Sequence, residues 1–192
     1  EESTSLEQLE EELKDKMKKL YLPQPDEKTG IIPQFDGYFD LKEIDLSVYK
    51  NASVVGTIFH DYSGEDVQGM QAGKQADIVE LLYQMEDITT PDNKAKNYVY
   101  YEARTLHDSS LSKAIHSITA CDLGMEKEAY EMFMSAALTD LGQEMKSSDA
   151  GIHSANMGGV WQDVVMGFGG IRIRDGHLRI APNCPKQWEK FT

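Results

Sequence analysis

The stretch Tyr100-Tyr101-Glu102-Ala103-Arg104-Thr105-Leu106-His107-Asp108-Ser109-Ser110-Leu111-Ser112 lies between two segments of helical periodicity. It gathers carboxylates, an arginine, a histidine and serines, the polar groups that a sugar or phosphate site uses. A core helix does not need them, and a solvated helix would not normally carry paired tyrosines beside them. A polar junction between helices is where an all-α scaffold would hold its chemistry. Charged junctions are also commonly just solvated, so the surrounding pattern has to decide.

Upstream of the junction, helical order begins near Lys74, with Ile78, Leu81, Leu82, Met85 and Ile88 on one stripe. Thr90-Pro91 is a cap followed by proline at the first helical position, which starts the next helix. Downstream, a helix is predicted from about Ser109 to Asp122, with Leu111, Ile115, Ile118 and Cys121 inward and Gly124 as its stop. Another spans 126–142, its face traced by Tyr130, Phe133, Met134, Ala137, Leu138 and Leu141. The methionines read as core filler.

Toward the N-terminus, residues 5–21 place Leu6, Leu9, Leu13, Met17 and Leu20 at helical steps, and Ser5 with Gln8 has capping-box spacing. Pro23, Pro25 and Gly30 end that helix. Residues 31–72 show no sustained period, and Pro33 argues against a central strand. So long an irregular stretch implies a functional loop or packing against something else, which could lie outside the chain. After Gly151 a helical piece runs to about Phe168. Ile171-Arg172-Ile173-Arg174-Asp175-Gly176-His177-Leu178-Arg179-Ile180 then alternates at period two about Asp-Gly, which predicts a hairpin with a type I′ turn. Ile171, Ile173, Leu178 and Ile180 take one face and the arginines the other. A lone hairpin is marginal in water, so it should belong to a larger sheet.

The 192 residues suit one ordinary core, or one with a small appendage. A net charge of −14 would repel nucleic acid and an anionic membrane surface. No apolar run reaches the roughly 20 residues of a membrane span. Cys121 and Cys184 form neither a disulfide framework nor a zinc spacing, which fits a reducing cytoplasm. Residue 1 is Glu rather than Met, so the chain reads as processed or excised.

Several segments in order resemble glycoside hydrolase family 65, the inverting phosphorylases of maltose, trehalose, kojibiose and related glucosides. They are Gln34-Phe35-Asp36-Gly37-Tyr38, Lys74-Gln75-Ala76-Asp77, Tyr100-Tyr101-Glu102 through His107-Asp108-Ser109-Ser110-Leu111-Ser112, Gly151-Ile152-His153, Gly169-Gly170, and Pro185-Lys186-Gln187-Trp188. The resemblance implies a mainly α chain: the later half of an (α/α)6 barrel in residues 1–168, then the first strands of a small β-sandwich in 169–192. It also implies an α-glucosyl disaccharide and inorganic phosphate as co-substrates, with no cofactor and no metal. The remainder of the barrel would be a partner, and a homodimer is a further expectation. The family's general acid is a Glu preceding the Gln-Phe-Asp-Gly-Tyr segment. Residues 1–30 hold no match to its surroundings, so no catalytic residue is assigned and the acid is expected outside this chain.

A phosphorylase keeps the acid of an inverting glycosidase and replaces base plus water with phosphate. The face that receives phosphate needs neutral or cationic donors. Ser109, Ser110 and His153 are of that type, and similar positions hold phosphate in the family; the start of the following helix would add backbone N–H groups. Simple capping by the serines and an ordinary loop histidine are the competing readings. Lys74 and Gln75 sit at the beginning of a helix, where a lysine opposes the dipole. In the family this pair binds substrate hydroxyls with a Glu matching Glu102. A solvated lysine and a surface ion pair are the plain alternatives. His107 and Asp108 could simply hold the loop together, and His60 and His116 read as structural. Two further functions compete: an inverting α-glucosidase, which needs a second carboxylate opposite the acid, and a non-catalytic sugar-binding or interaction fragment.

Overall fold

The computed structural model describes residues 5–50, 54–141 and 151–190. Its helices are α1 Leu6–Lys19, α2 Ser47–Lys50, α3 Gly64–Gln68, α4 Asp77–Gln84, α5 Pro91–Glu102, α6 Ser112–Asp122, α7 Glu126–Ala137 and α8 Ser154–Gln162. A π-helical turn, Asp163–Phe168, continues α8, and strands β1 Ile171–Arg174 and β2 His177–Ile180 follow. No helix among the described residues is long and apolar enough to cross a membrane.

Helix α6 is the axis of the packing and touches α4, α5, α7, α8 and the π turn. Ser112, Ala114 and every residue from His116 to Cys121 are buried. Its small residues allow neighbours to approach from all sides, so it is not the one-faced helix the apolar spacing predicts. Ile118 and Cys121 do point into the core, whereas Leu111 is 46% exposed because it precedes the helix as its N-cap residue. The core joins Ile78, Val79 and Leu82 of α4 to Tyr98 and Tyr101 of α5, Ala129 and Phe133 of α7, and Phe168.

The capping box of α1 forms as its sequence predicts, and Glu10–Lys14, Glu12–Lys16 and Asp15–Lys19 pair one turn apart. None of its residues is buried, and Leu6 is 85% exposed. Thr90 caps α5 through Asn93 N, with Pro91 at the first position. The described residues of the irregular stretch 31–72 form turns and the short helices α2 and α3, and its beginning packs within the chain. Ile31, Ile32 and Tyr38 enter the core, Ile32 N donates to Asn97 Oδ1 at 2.8 Å, and the Tyr101 hydroxyl donates to Ile32 O.

Three helix boundaries differ from the periodicity. Residues 73–75 stay outside α4, because Gly73 pairs with the chain at Thr105: Gly73 N donates to Arg104 O and Leu106 N to Gly73 O, both at 2.8 Å. Helix α6 starts at Ser112 rather than Ser109, and α7 ends at Ala137, with Leu141 82% exposed. Residue 142 lies outside the described residues.

The hairpin pairs Ile171 with Ile180 and Ile173 with Leu178 in antiparallel register. Asp175 and Gly176 have φ of 50° and 74°, as a type I′ turn requires. Its arginine face packs on the helical body. Arg172, 7% exposed, bonds Glu86, Asp122 (2.6 Å) and Met166 O, while Arg174 reaches Glu86 and the carbonyls of Tyr83 and Gln84 at the end of α4. Unsatisfied carbonyls at a helix C-terminus favour cations, which explains the inward arginines. The isoleucine face is outward, with Ile173 75% exposed. Gly170 closes the base of the hairpin: a Cβ there would lie 1.8 Å from Ala181 O. Beyond it Asn183 N donates to Phe168 O at 2.7 Å, and the Trp188 ring sits 4.9 Å from that of Phe168.

Candidate functional site

Glu102 is the last residue of α5, where the helix dipole disfavours a carboxylate. Three donors answer that cost. Lys50 Nζ lies 2.6 Å from Oε1 and also donates to the Glu102 carbonyl; His116 Nδ1 lies 2.6 Å and His107 Nε2 3.1 Å from Oε2. Burial alone would raise the Glu102 pKa, but the hydrogen bonds from His107 and His116 outweigh it and hold the carboxyl well below the usual range. Burial pushes His107 down to about 4, against the raising effect of Glu102, so it is neutral at pH 7. Its backbone is left-handed, φ 57°, and its Nδ1 pairs with Ser112 Oγ at 2.9 Å.

The sequence reading assigns no metal site, yet ligand atoms of Glu102, His107 and His116 lie within 4.8 Å of one another. That spacing would admit a cation. The observed contacts are hydrogen-bond lengths, however, and the Lys50 ammonium already supplies a positive charge at the carboxylate. We therefore read the cluster as a protonic network.

Much of the opening stretch is structural. Tyr100 OH donates to Gln71 Oε1 at 2.6 Å, and Arg104 lies 3.7 Å over the Tyr100 ring while pairing with Glu43. Asp108 Oδ2 accepts from Gly56 N at 3.1 Å, and burial raises its pKa against nearby Lys74 and Lys113. His107 and Asp108 thus do hold the loop, as one sequence reading has it.

A cavity of about 360 Å³ opens beside this network, between α4, α6 and α8. Its wall includes Gln75, Ala76 and Asp77 at the start of α4, Ser110 to Ser112 at the start of α6, and Ala155 and Asn156 in the first turn of α8. None of these three helix N-termini has a side-chain cap. Each leaves backbone N–H groups and about half a positive charge facing its own end. Asp77 and Glu80 stand on the same wall and oppose part of that field.

The sequence-assigned residues fall around this cavity unequally. Gln75 and Ser110 line it; Lys74 is exposed, outside the helix, and interacts with Asp108. Ser109 is buried, its Oγ accepting from Leu111 N at 3.3 Å, so it supports the turn rather than capping α6. His153 is the N-cap residue of α8, its Nδ1 2.6 Å from Asp140 Oδ1 and its N–H 2.8 Å from Asp140 Oδ2. Glu102 connects to the wall through His116, which lines the cavity.

Lys50 and Asn156 were not singled out by sequence, and His116, read there as structural, binds Glu102 and lines the cavity. Lys50 reaches Glu102 across 52 positions, with no local signal. Ser112 and His116 are one helical turn apart, so both residues bound to the Glu102–His107 pair share a face, and that spacing was readable.

With this geometry defined, the chain belongs to glycosyl hydrolase family 65: the central catalytic domain of that family matches residues 1–162. It is 48% identical over 179 residues to a kojibiose phosphorylase of Halothermothrix orenii, covering 93% of this chain and 22% of the relative. An α,α-trehalose phosphorylase of Thermoanaerobacter brockii is 36% identical over 173 residues, 90% of this chain and 22% of the relative. A solved structure titled as a kojibiose phosphorylase candidate from the human microbiome superposes with a TM-score of 0.82 at 32% identity, covering 96% of this chain and 27% of that one. The chain thus spans about a quarter of the length of the relatives it matches.

Proposed function

We propose that the complete protein carrying this segment is an inverting glycoside phosphorylase. It cleaves an α-glucosyl disaccharide with phosphate to give β-glucose 1-phosphate and glucose. Residues 1–168 form the later half of an (α/α)6 barrel and 169–192 open a β domain; the enzyme works in the cytoplasm without metal or organic cofactor. The observation that carries this reading is the meeting of three uncapped helix N-termini at one cavity, a favourable place for a phosphate. Phosphate is the nucleophile, bound by Ser109, Ser110 and His153 with the N–H groups of α6 and α8. Lys74, Gln75 and Glu102 bind the transferred glucosyl group. The Lys50–Glu102–His107–His116 network keeps Glu102 ionised, so it accepts from sugar hydroxyls rather than donating a proton. The general acid is a Glu contributed by another part of the barrel.

Asp77 and Glu80 on the cavity wall give the hydrolase alternative a specific footing, since either could serve as the second carboxylate of an inverting glucosidase. Phosphate dependence decides between them. The complete protein is expected to consume kojibiose, trehalose, nigerose or maltose only when phosphate is present, and to release the β anomer of glucose 1-phosphate, read by proton NMR. Glucose released at the same rate without phosphate would refute the proposal. The isolated 192-residue chain is expected to turn over none of these sugars.

A further inference from the structure

Glu102 ends α5, His107 lies in the loop that follows and His116 sits on α6, yet one ligand atom from each lies within 4.8 Å of the others. Glu102 Oε2 is 2.6 Å from His116 Nδ1 and 3.1 Å from His107 Nε2. Ligands about 2.0–2.1 Å from a tetrahedral zinc stand roughly 3.3 Å apart, so a carboxylate shift of under about 1 Å opens these contacts to that spacing. The far nitrogen of His107, Nδ1, is held by Ser112 Oγ at 2.9 Å. Metal-bound imidazoles are oriented in this way, by a partner on the nitrogen that does not face the ion. Two imidazoles with one carboxylate favour zinc over magnesium or calcium, which take oxygen ligands. Access runs past Lys50. The histidine side chains are enclosed, but those of Glu102 and Lys50 are 17% and 20% exposed, and the Lys50 ammonium rides on a flexible stem.

We propose that Glu102, His107 and His116 form an inhibitory zinc site, entered by displacement of the Lys50 ammonium. At rest the carboxylate is held by protons, from Lys50 and the two imidazoles, and the enzyme needs no metal. Zinc takes over the same carboxylate: Lys50 swings out to water, and the proton between Glu102 and His116 is released to solvent. The ion and the ammonium compete because each answers the same negative charge. Zinc bound here withdraws Glu102 from any other ligand. That this inhibits turnover rests on the proposed role of Glu102 in holding the glucosyl group; the zinc site does not.

The test uses the complete protein, stripped of metal with a chelator, and zinc alone as the probe. Zinc affinity is read by competition with a chromophoric chelator. Lys50→Met deletes the competing charge and keeps all three ligands, so it is expected to tighten zinc binding about 10-fold. Glu102→Gln is expected to weaken it at least about 10-fold. Equal zinc affinity in the three proteins overturns the proposal. A zinc-soaked crystal of the unaltered protein checks it independently of any variant. An anomalous peak about 2.0–2.2 Å from Oε2, Nε2 and Nδ1 supports the site, and a peak only at other residues refutes it. Glucose is expected to bind the zinc-loaded protein at least about 10-fold more weakly by calorimetry. Unchanged glucose affinity with zinc in place refutes the inhibitory role. Zinc held at these atoms in a protein that never binds glucose would fault the phosphorylase reading and support the zinc site.

Discussion

Asp163 and Glu102 are both enclosed carboxyl groups, and their surroundings drive them in opposite directions. Asp163 is fully buried, and burial pushes its pKa up to about 8 against the lowering effect of Ser117. Gly167 leaves room for it, since a Cβ there would come within 2.6 Å of Oδ1. A folded pKa above the unfolded one means that the unfolded chain releases a proton first, near pH 4, while the folded chain keeps it. Stability from this group is therefore complete below about pH 4 and declines through pH 8, by up to about 1.4 kcal/mol per pH unit. Asp163→Asn is expected to flatten this decline, read as a melting temperature that changes less between pH 6 and 8 than in the unaltered chain. Glu102 and His107 have lowered values, so their contributions disappear on acidification. For His107 the loss runs from about pH 6.5, where the unfolded ring takes its proton, down through about 4. Glu102→Gln leaves Lys50 facing a neutral amide and breaks charge-assisted bonds to two histidines, each worth about 1.5–3 kcal/mol. In the complete enzyme it is expected to lower kcat/KM at least 10-fold for the sugar, measured in the phosphorolysis direction.

Whole elements were more legible than their boundaries. The capping box of α1, the Thr90-Pro91 start of α5 and the Asp175-Gly176 turn all form as read, because each is decided by neighbouring residues. The start of α4 and the packing of α6 are decided elsewhere. Pairing of Gly73 with residue 105 delays α4, and enclosure on every side turns α6 from an amphipathic helix into a central one. The candidate site shows the same division. Its residues within 100–112 stood out by local density, whereas Lys50 enters from 52 positions away and Asn156 from a different helix. The hairpin offers an element-scale test. Arg172→Ala removes a buried cation shared by Glu86 and Asp122. It is expected to cost about 3 kcal/mol, the low end for a broken buried pair, because Arg174 still faces Glu86 and Lys94 still faces Asp122. Denaturant unfolding monitored by the fluorescence of Trp161 and Trp188 together would measure it.

Across the whole molecule, charge and apolar surface act against each other. A net charge of −14 favours dispersal, but the stripe of α1 and the outer face of the hairpin both present aliphatic side chains to solvent. An exposed two-stranded apolar face is prone to edge and face association. The 192-residue chain is expected to sediment as concentration-dependent oligomers, and Ile173→Lys with Leu178→Lys to shift it toward monomer without lowering its melting temperature. Persistent oligomers in the double variant would point to α1 instead.

The contact of Gly170 with Ala181 bears on how such a protein could be dissected. Topologically the chain passes from helices to strands at this glycine, an obvious place to cut. Mechanically it is a weld: the two backbones touch, and the segment beyond the hairpin doubles back to put Trp188 on Phe133 and Phe168. A truncation after residue 169 would strip a ring from the helical core instead of freeing a separate module. The same weld holds the base of the hairpin against the π turn, which continues α8, one wall of the cavity.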